Sequence, residues 1–276
     1  MTFDKISYKC SRIITNTYST SFSMGIKMLH KDLHKPLYNI YGFVRLADEI
    51  VDSFDVFDKK SLLSELKKNT FLAIKNKISL NPILNSFQDV VNKYDIDHNL
   101  IKTFLSSMEM DLYHKKFNEE QIKNYILGSA EVVGLMCLTV FVNGEKEEYN
   151  KLKPFAMHLG SAFQKINFLR DINSDHKKLG RTYFPGINID KFNESDKIII
   201  EKDIEKEFMT GKKGIKMLPR SSKSGVYLSY LYFYSLFLKI KKIPANQLLK
   251  TRIRIPNYYK FLLLLKSLFI LSLKKI

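Results

Sequence analysis

A chain of 276 residues with 45% hydrophobic and 26% charged side chains is that of a folded protein, which excludes a disordered or collagen-like one. Forty-five Lys and Arg against 28 Asp and Glu leave a net charge of +17, an excess that asks for an acidic partner such as nucleic acid, anionic lipid or a phosphate-bearing substrate. Two cysteines, Cys10 and Cys137, exclude a disulfide framework or a cysteine-rich zinc site, so cytoplasmic chemistry is the expectation.

Apolar residues recur mostly at helical spacing, as in Ile122, Ile126, Ala130, Val133 and Leu138, or Phe155, Leu159, Ala162, Ile166 and Leu169. The pattern predicts helices over about 5–17, 32–54, 60–78, 82–93, 98–116, 119–142, 145–177, 197–217, 221–242 and 257–273. Seven Pro and 11 Gly leave few turns, and loops are short except near 178–196, where Gly180, Pro185, Gly186 and several Asn gather. No alternating strand pattern, solenoid period or Gly/Ser linker stands out. The expected fold class is all-α, a single domain over 1–276 with a central cavity between helices.

The two ends differ. The N-terminal MTFDKISYKC carries Asp4 and no apolar run, unlike a signal peptide. Phe261 to Leu265 and Ser267 to Leu273 form an apolar stretch broken by Lys266 and followed by Lys274 and Lys275, too short and interrupted for a membrane span. A terminal core helix is the first expectation for it, and a helix lying on a bilayer surface the second.

The stretch YGFVRLADEIVD places Asp48 and Asp52 four residues apart, hence on one face of a helix. Phe43, Val44, Leu46, Ile50 and Val51 surround them, and burying a carboxylate pair there costs several kcal/mol unless something offsets it. A divalent cation bridging both would do so, and carboxylate and phosphate oxygens with retained water are what Mg²⁺ prefers. The spacing returns at Asp171 and Asp175, with Gln164 and Asn167 on the face that leads to them. One such pair is most simply a solvated helix face. Two, each on a helix with an apolar flank and a nearby arginine (Arg45, Arg170), point to facing ladders that hold metal ions against a diphosphate leaving group.

Other polar groups fit a phosphate site. Arg45 stands three residues before Asp48 and could fork onto a phosphate or pair with Asp48 or Glu49. Ser19 and Ser21 lie in YSTSFS before an apolar segment, where a helix N-cap is the plain alternative. Arg181 and Tyr183 follow the second pair across a Gly turn, and Arg252 and Arg254 lie in KTRIRIP.

These stretches, with GSAEVVGLM at 128–136 and GSAFQKINFLRDINSDHKKLGRTYFP at 160–185, resemble the squalene/phytoene synthase family of head-to-head prenyl synthases. The resemblance covers most of the chain and implies the isoprenoid synthase fold. It carries the family's acidic motifs onto Asp48, Asp52, Asp171 and Asp175, with Asn167 beside them as metal ligands. It carries diphosphate contacts onto Ser19, Ser21, Tyr41, Arg45, Gln164, Asn167, Tyr183, Tyr234 and Arg252, with Tyr41 and Arg45 among the catalytic set. Many relatives have Asp where this chain has Glu49, which points about 100° away from Asp48.

The implied reaction condenses two identical allylic prenyl diphosphates through a cyclopropyl diphosphate, using Mg²⁺ or alternatively Mn²⁺ and without NADPH. A carbocation needs a dry wall, to which Phe22, Tyr41 and Tyr183 would offer aromatic faces. Ala130, Val133, Gly134 and Leu135 would line a tunnel for the prenyl chain. Ile26, four residues after Phe22, leaves more room than an aromatic there and favours geranylgeranyl diphosphate, hence 15-cis-phytoene for carotenoids, with dehydrosqualene or squalene synthesis from farnesyl diphosphate as the alternative. A hydrocarbon product implies peripheral contact with the inner face of the cell membrane and a downstream carotenoid desaturase as partner. Three other readings compete: a non-catalytic helical assembly factor, a cyclase of the same fold, and a nucleic-acid binder. Scattered lysine pairs, Lys59–Lys60 and Lys241–Lys242 among them, argue against the last.

Overall fold

The computed structural model describes residues 1–113 and 116–272. Thirteen α-helices are found among them: α1 (Thr2–Tyr18), α2 (Thr20–Lys27), α3 (Lys31–Ser53), α4 (Lys59–Asn76), α5 (Pro82–Tyr94), α6 (His98–Tyr113), α7 (Glu119–Ile126), α8 (Val132–Phe141), α9 (Lys146–Ser174), α10 (Glu194–Met217), α11 (Arg220–Lys241), α12 (Ala245–Leu248) and α13 (Asn257–Ser272). The expected all-α class is observed; the one β-bridge among the described residues pairs Lys116 with Thr182.

Local chemistry sets the boundaries. Asp58 accepts hydrogen bonds from the backbone amides of Lys60 and Ser61 to start α4, and Asn81 caps α5 ahead of Pro82. Asn118 with Gln121 and Asn193 with Asp196 form reciprocal capping boxes on α7 and α10. The second box starts α10 three residues before the predicted position.

Four expectations need correction. The segment expected to be a polar lead-in at 18–23 is mostly helical: Ser19 caps α2 by accepting from the Phe22 amide. The 119–142 stretch is α7 and α8 joined by a π-helical turn, Leu127–Glu131. The 145–177 stretch leaves α-helical geometry at a second π turn, Asp175–Leu179, which ends on left-handed Gly180 with φ of 64°. The short helix α12 had no signal long enough to find. The ends of the 98–116 and 257–273 predictions, residues 114–115 and 273, lie outside the described residues.

Two apolar cores meet at the centre. One joins α3, α4, α5 and α6 through Phe43, Phe87 and Phe104, with the Phe43 and Phe87 rings stacked 3.9 Å apart. The other joins α9, α10 and α11 through Ile166, Phe208 and Phe237. Helix α8 contributes to both, Val132, Met136 and Val140 to the first and Leu135 and Leu138 to the second. Glu119–Phe141 is long and apolar enough to cross a membrane by length and composition, but half of it is buried inside the protein, as befits a shared central helix.

Between the cores lies a cavity of about 290 Å³. Its walls come from α2, α3, the α7–α8 π turn, α8, α9, α10 and α11. Glycines let these helices close tightly around it. A Cβ on Gly225 would sit 2.4 Å from the Gly25 carbonyl oxygen, so α11 and α2 touch backbone to backbone. A Cβ on Gly160 would sit 2.9 Å from the Ala130 carbonyl oxygen, which seats α9 on the π turn.

Candidate functional site

The cavity is apolar along its length and polar at one end. On α3 the wall positions are Leu37, Tyr41, Val44 and Asp48, a single helical stripe that ends in a carboxylate. On α9 the wall runs from Leu152 through Leu159 and Phe163 to Gln164 and Asn167. The 15 residue steps from 152 to 167 correspond to about 22 Å of helix. Both stripes become polar toward the C-terminal ends of their helices; of the four aspartates Asp48 is on the cavity wall, while Asp52, Asp171 and Asp175 follow one turn or more beyond the lining residues of their helices.

The electrostatics agree with that placement. Burial, and then the neighbouring Asp52, push the Asp48 carboxyl up to about 8. Burial and Asp171 push Asp175 up to about 7, and Asp52 on the opposite helix adds to the effect. The α3 and α9 ladders therefore face each other closely enough to repel. Burial also works against a charged Asp171, but Arg170 and Arg252 outweigh it and hold that carboxyl below the usual range. Arg252 grips Asp171 with both ends of its fork, Nε 2.6 Å from Oδ1 and Nη2 3.1 Å from Oδ2, and Arg170 Nε donates to Oδ1 at 3.0 Å.

Arg45 pairs with Glu49 on its own helix, lies 3.7 Å from Asp48, and stacks over the Tyr18 ring of α1 at 4.3 Å. The alternative reading of Arg45 as an intrahelical ion-pair partner thus describes the structure, and Glu49 has a definite partner. Phe22, Ile26, Ala130, Val133 and Gly134 line the cavity. The rings of Phe22 and Tyr41 lie 5.1 Å apart on its wall, and Gln164 donates to Ser129 Oγ at 3.3 Å.

Other predicted positions fall elsewhere. Leu135 is 2% exposed and packs in the second core, not on the cavity wall. Ser21 sits in the first turn of α2, off the wall. Tyr234 stacks on Tyr230 at 5.4 Å and edge-on to Phe208, while its neighbour Phe233 takes the wall position. Tyr183 is also off the wall. It stacks on Phe168 at 4.1 Å and donates to Asp111 Oδ1 at 3.3 Å.

That contact leads to a part of the site the sequence reading missed. Asp111 on α6 is buried, and burial lifts its carboxyl to about 6 even though Arg181 opposes the shift. It accepts from Tyr125 at 2.7 Å, and Arg181 Nη1 lies 3.5 Å from its Oδ1. The same Nη1 stands 3.4 Å from Asp52, so one buried guanidinium ties Asp111 to the α3 ladder. A signal existed: Phe104, Met108 and Asp111 share one helix face, and a charge on a face of buried residues needs a reason.

Among the described residues no three His, Cys, Asp or Glu side chains form a ready-made metal cluster. The donor chemistry still fits a hard dication: two pairs of crowded carboxylates, each with one member pushed toward its neutral form by desolvation and then by its neighbour's charge.

The matching family model, squalene/phytoene synthase, covers residues 15–210. The chain belongs to the squalene/phytoene synthase family. Within it, the chain is 25% identical over 203 residues to the 4,4'-diapophytoene synthase of Staphylococcus haemolyticus, covering 71% of this chain and 68% of that protein. It is 24% identical over 256 residues to the chloroplastic phytoene synthase 2 of Solanum lycopersicum, covering 86% and 81% respectively. Two solved structures share the fold. A dehydrosqualene synthase solved with a ligand superposes with a TM-score of 0.84 at 18% identity and covers 98% of both chains. A squalene synthase from Alicyclobacillus acidocaldarius gives 0.76 at 18%, covering 87% of this chain and 94% of that one. The protein thus has the isoprenoid synthase fold of the head-to-head prenyl synthases, prenyltransferases that act on prenyl diphosphates.

Proposed function

We propose that this family member joins two geranylgeranyl diphosphates head to head and releases 15-cis-phytoene. The observation that carries the reading is an apolar cavity whose wall ends in Asp48, Gln164 and Asn167, with Asp52 of the first ladder close enough to Asp175 of the second to raise its pKa. Asp48 and Asp52, with Asp171, Asp175 and Asn167 opposite, would hold Mg²⁺, or Mn²⁺ in its place. The ion supplies charge neutralisation of the diphosphate, which makes it a better leaving group.

The chain's own residues do the rest. Arg45, Arg170 and Arg252 stand at the mouth and can shift from carboxylates to phosphate oxygens as the diphosphate arrives. The allylic cation left behind is attacked by the other substrate's double bond, and proton loss gives the cyclopropyl diphosphate. A second ionisation, rearrangement and proton loss complete the hydrocarbon, so no hydride donor such as NADPH is required. Phe22 and Tyr41 offer ring faces to the cation, and the Val44, Val133 and Phe163 walls keep water away. The product would pass to a carotenoid desaturase, and the protein would work in the cytoplasm at the inner face of the membrane.

Ile26 on the wall and the length of the α9 stripe support the longer substrate. The second reading, two farnesyl diphosphates joined to a C30 product, is favoured by the likeness to a 4,4'-diapophytoene synthase. Incubation with each diphosphate plus Mg²⁺, with and without NADPH, followed by chromatography of the hydrocarbon, decides between them. A C40 product is expected. A C30 product alone moves the protein to the second reading, and no hydrocarbon from either substrate overturns the catalytic assignment.

A further inference from the structure

Helix α13 has two unlike faces. Its inner face rests on the protein: Leu263 is 4% exposed and clusters with Leu228 and Tyr232 of α11, against which Met24 of α2 and Met28 just after it also pack. Two polar contacts fix its start, as Tyr232 donates to the Lys260 carbonyl at 3.0 Å and Lys260 Nζ donates to Thr20. The helix is therefore seated on the fold and its orientation is defined.

The outer face is apolar and uncovered. Tyr258, Tyr259, Phe261, Leu262, Leu265 and Leu268 are between 40% and 71% exposed. Single exposed leucines need no explanation, but a continuous helical face of aromatic and aliphatic side chains marks an interaction surface. Its charge says what kind. No Asp or Glu occurs from Asn257 to Ser272, while Lys266 stands beside Leu262 and Leu265, and exposed Arg254 and Lys27 flank the helix. A second copy of the same face would bring lysine to lysine with no acid to meet it. An anionic lipid surface supplies both what the face lacks, a hydrocarbon layer for its leucines and negative charge for its basic rim.

We propose that the outer face of α13 docks on an anionic bilayer, with Leu262 and Leu265 entering the acyl boundary and Lys266 at headgroup level. The two tyrosines at the start of the helix suit that level too, with an apolar ring and a polar tip. The sequence left a core helix and a surface helix as alternatives for this segment; α13 is both, one face for each. Docking has a consequence for the cavity. The helices beneath α13 carry Gly25 and Ile26, and Gly225 and Phe233, of the cavity wall. The bilayer would then lie about one helix layer, 8–10 Å, from the space that holds the apolar chain. The docking does not depend on which diphosphate the cavity takes.

Flotation of the full chain with vesicles tests it. The wild type is expected to float with phosphatidylcholine vesicles containing about one-third phosphatidylglycerol, and to float less as salt rises. Leu262→Glu/Leu265→Glu should lower the bound fraction about tenfold or more while circular dichroism and turnover of detergent-dispersed substrate stay at wild-type levels. Lys266→Glu, which disturbs no packing, should weaken binding to anionic vesicles and leave binding to pure phosphatidylcholine unchanged. A wild type that does not float with anionic vesicles, or variants that float as well as it does, would overturn the proposal. So would light scattering that shows a soluble dimer broken by the double glutamate variant in the absence of vesicle binding. Turnover, read separately, keeps a failure of docking distinct from a failure of the proposed chemistry.

Discussion

Asp111 is buried and Asp48, on the cavity wall, is 34% exposed, yet both have raised pKa values and they ask for different partners. Asp111 has its counterions built in, Arg181 and two tyrosine hydroxyls, and acts by holding Arg181 against Asp52. Asp48 has only Arg45 at 3.7 Å, and that arginine pairs with Glu49 as well. The two should therefore fail differently. Asp48→Ala or Asp171→Ala is expected to lower turnover by about 10³-fold or more with the circular dichroism spectrum intact, since what is lost is stabilisation of the departing charge. Asp111→Ala leaves a buried guanidinium without one of its anions and should cost about 3 kcal/mol of stability, read as a lowered melting temperature. Near-normal turnover in Asp48→Ala would remove its assigned role.

The same carboxyls predict a pH dependence. In the folded chain Asp48 titrates at about 8 and Asp175 at about 7, against 3.8 for an ordinary aspartate. Between those limits the folded state holds more protons than the unfolded one, so this contribution to stability falls as pH rises through the window. A dication binds the deprotonated carboxylates and should reverse the trend. Thermal melts are expected to show a larger gain from Mg²⁺ at about pH 8.5 than at about pH 6. A gain independent of pH would argue that the ion binds elsewhere.

Helices decide what those residues can reach. Three helices carry acids to the mouth, and their spacing made two of them readable from sequence. Asp48 with Asp52, and Asp171 with Asp175, repeat at one helical turn, which marks a face whatever the fold. Asp111 has no such partner on α6, and Arg181 lies after a π turn and a left-handed glycine, where no periodicity reports direction. Helix α2 was missed for a related reason: YSTSFS read as a short polar stretch with a helix N-cap as its alternative, and the eight-residue helix that starts within it is fixed by the Ser19 cap and by contact with α11. It is also the helix that sets Ile26 against the cavity. Ile26→Phe is expected to fill part of the wall and shift the product toward the shorter chain, measured as the ratio of C30 to C40 hydrocarbon from mixed substrates. An unchanged ratio would show that Ile26 does not bound the chain.

At the scale of the whole molecule, two cores share α8 and enclose the cavity between them, so a ligand that fills it contacts both. A non-ionising prenyl diphosphate analogue with Mg²⁺ should then stabilise the protein as a unit. At about 100-fold over Kd the gain is about 2.7 kcal/mol, which corresponds to a rise of about 5 °C or more in melting temperature. Two separate transitions, with only one shifted by the ligand, would show that the halves unfold independently. The +17 charge belongs to this scale too. It is spread over lysines on many helices, and at α13 it sets Lys266 beside an exposed apolar face.

Periodicity alone carried the all-α class, most helix limits and the two aspartate pairs, because each depends on residues within one or two turns of each other, whereas the tunnel role of 128–136 came with the family resemblance. Tertiary structure decided what depends on distance through space. It turned Leu135 inward and left Val133 and Gly134 on the wall, drew Tyr183 and Tyr234 into ring stacks, and joined Arg181 to Asp52 and Asp111 across 129 and 70 residues. Spacing along a helix fixes which side chains share a face. Only packing against other helices fixes whether that face meets a cavity, a core or the solvent.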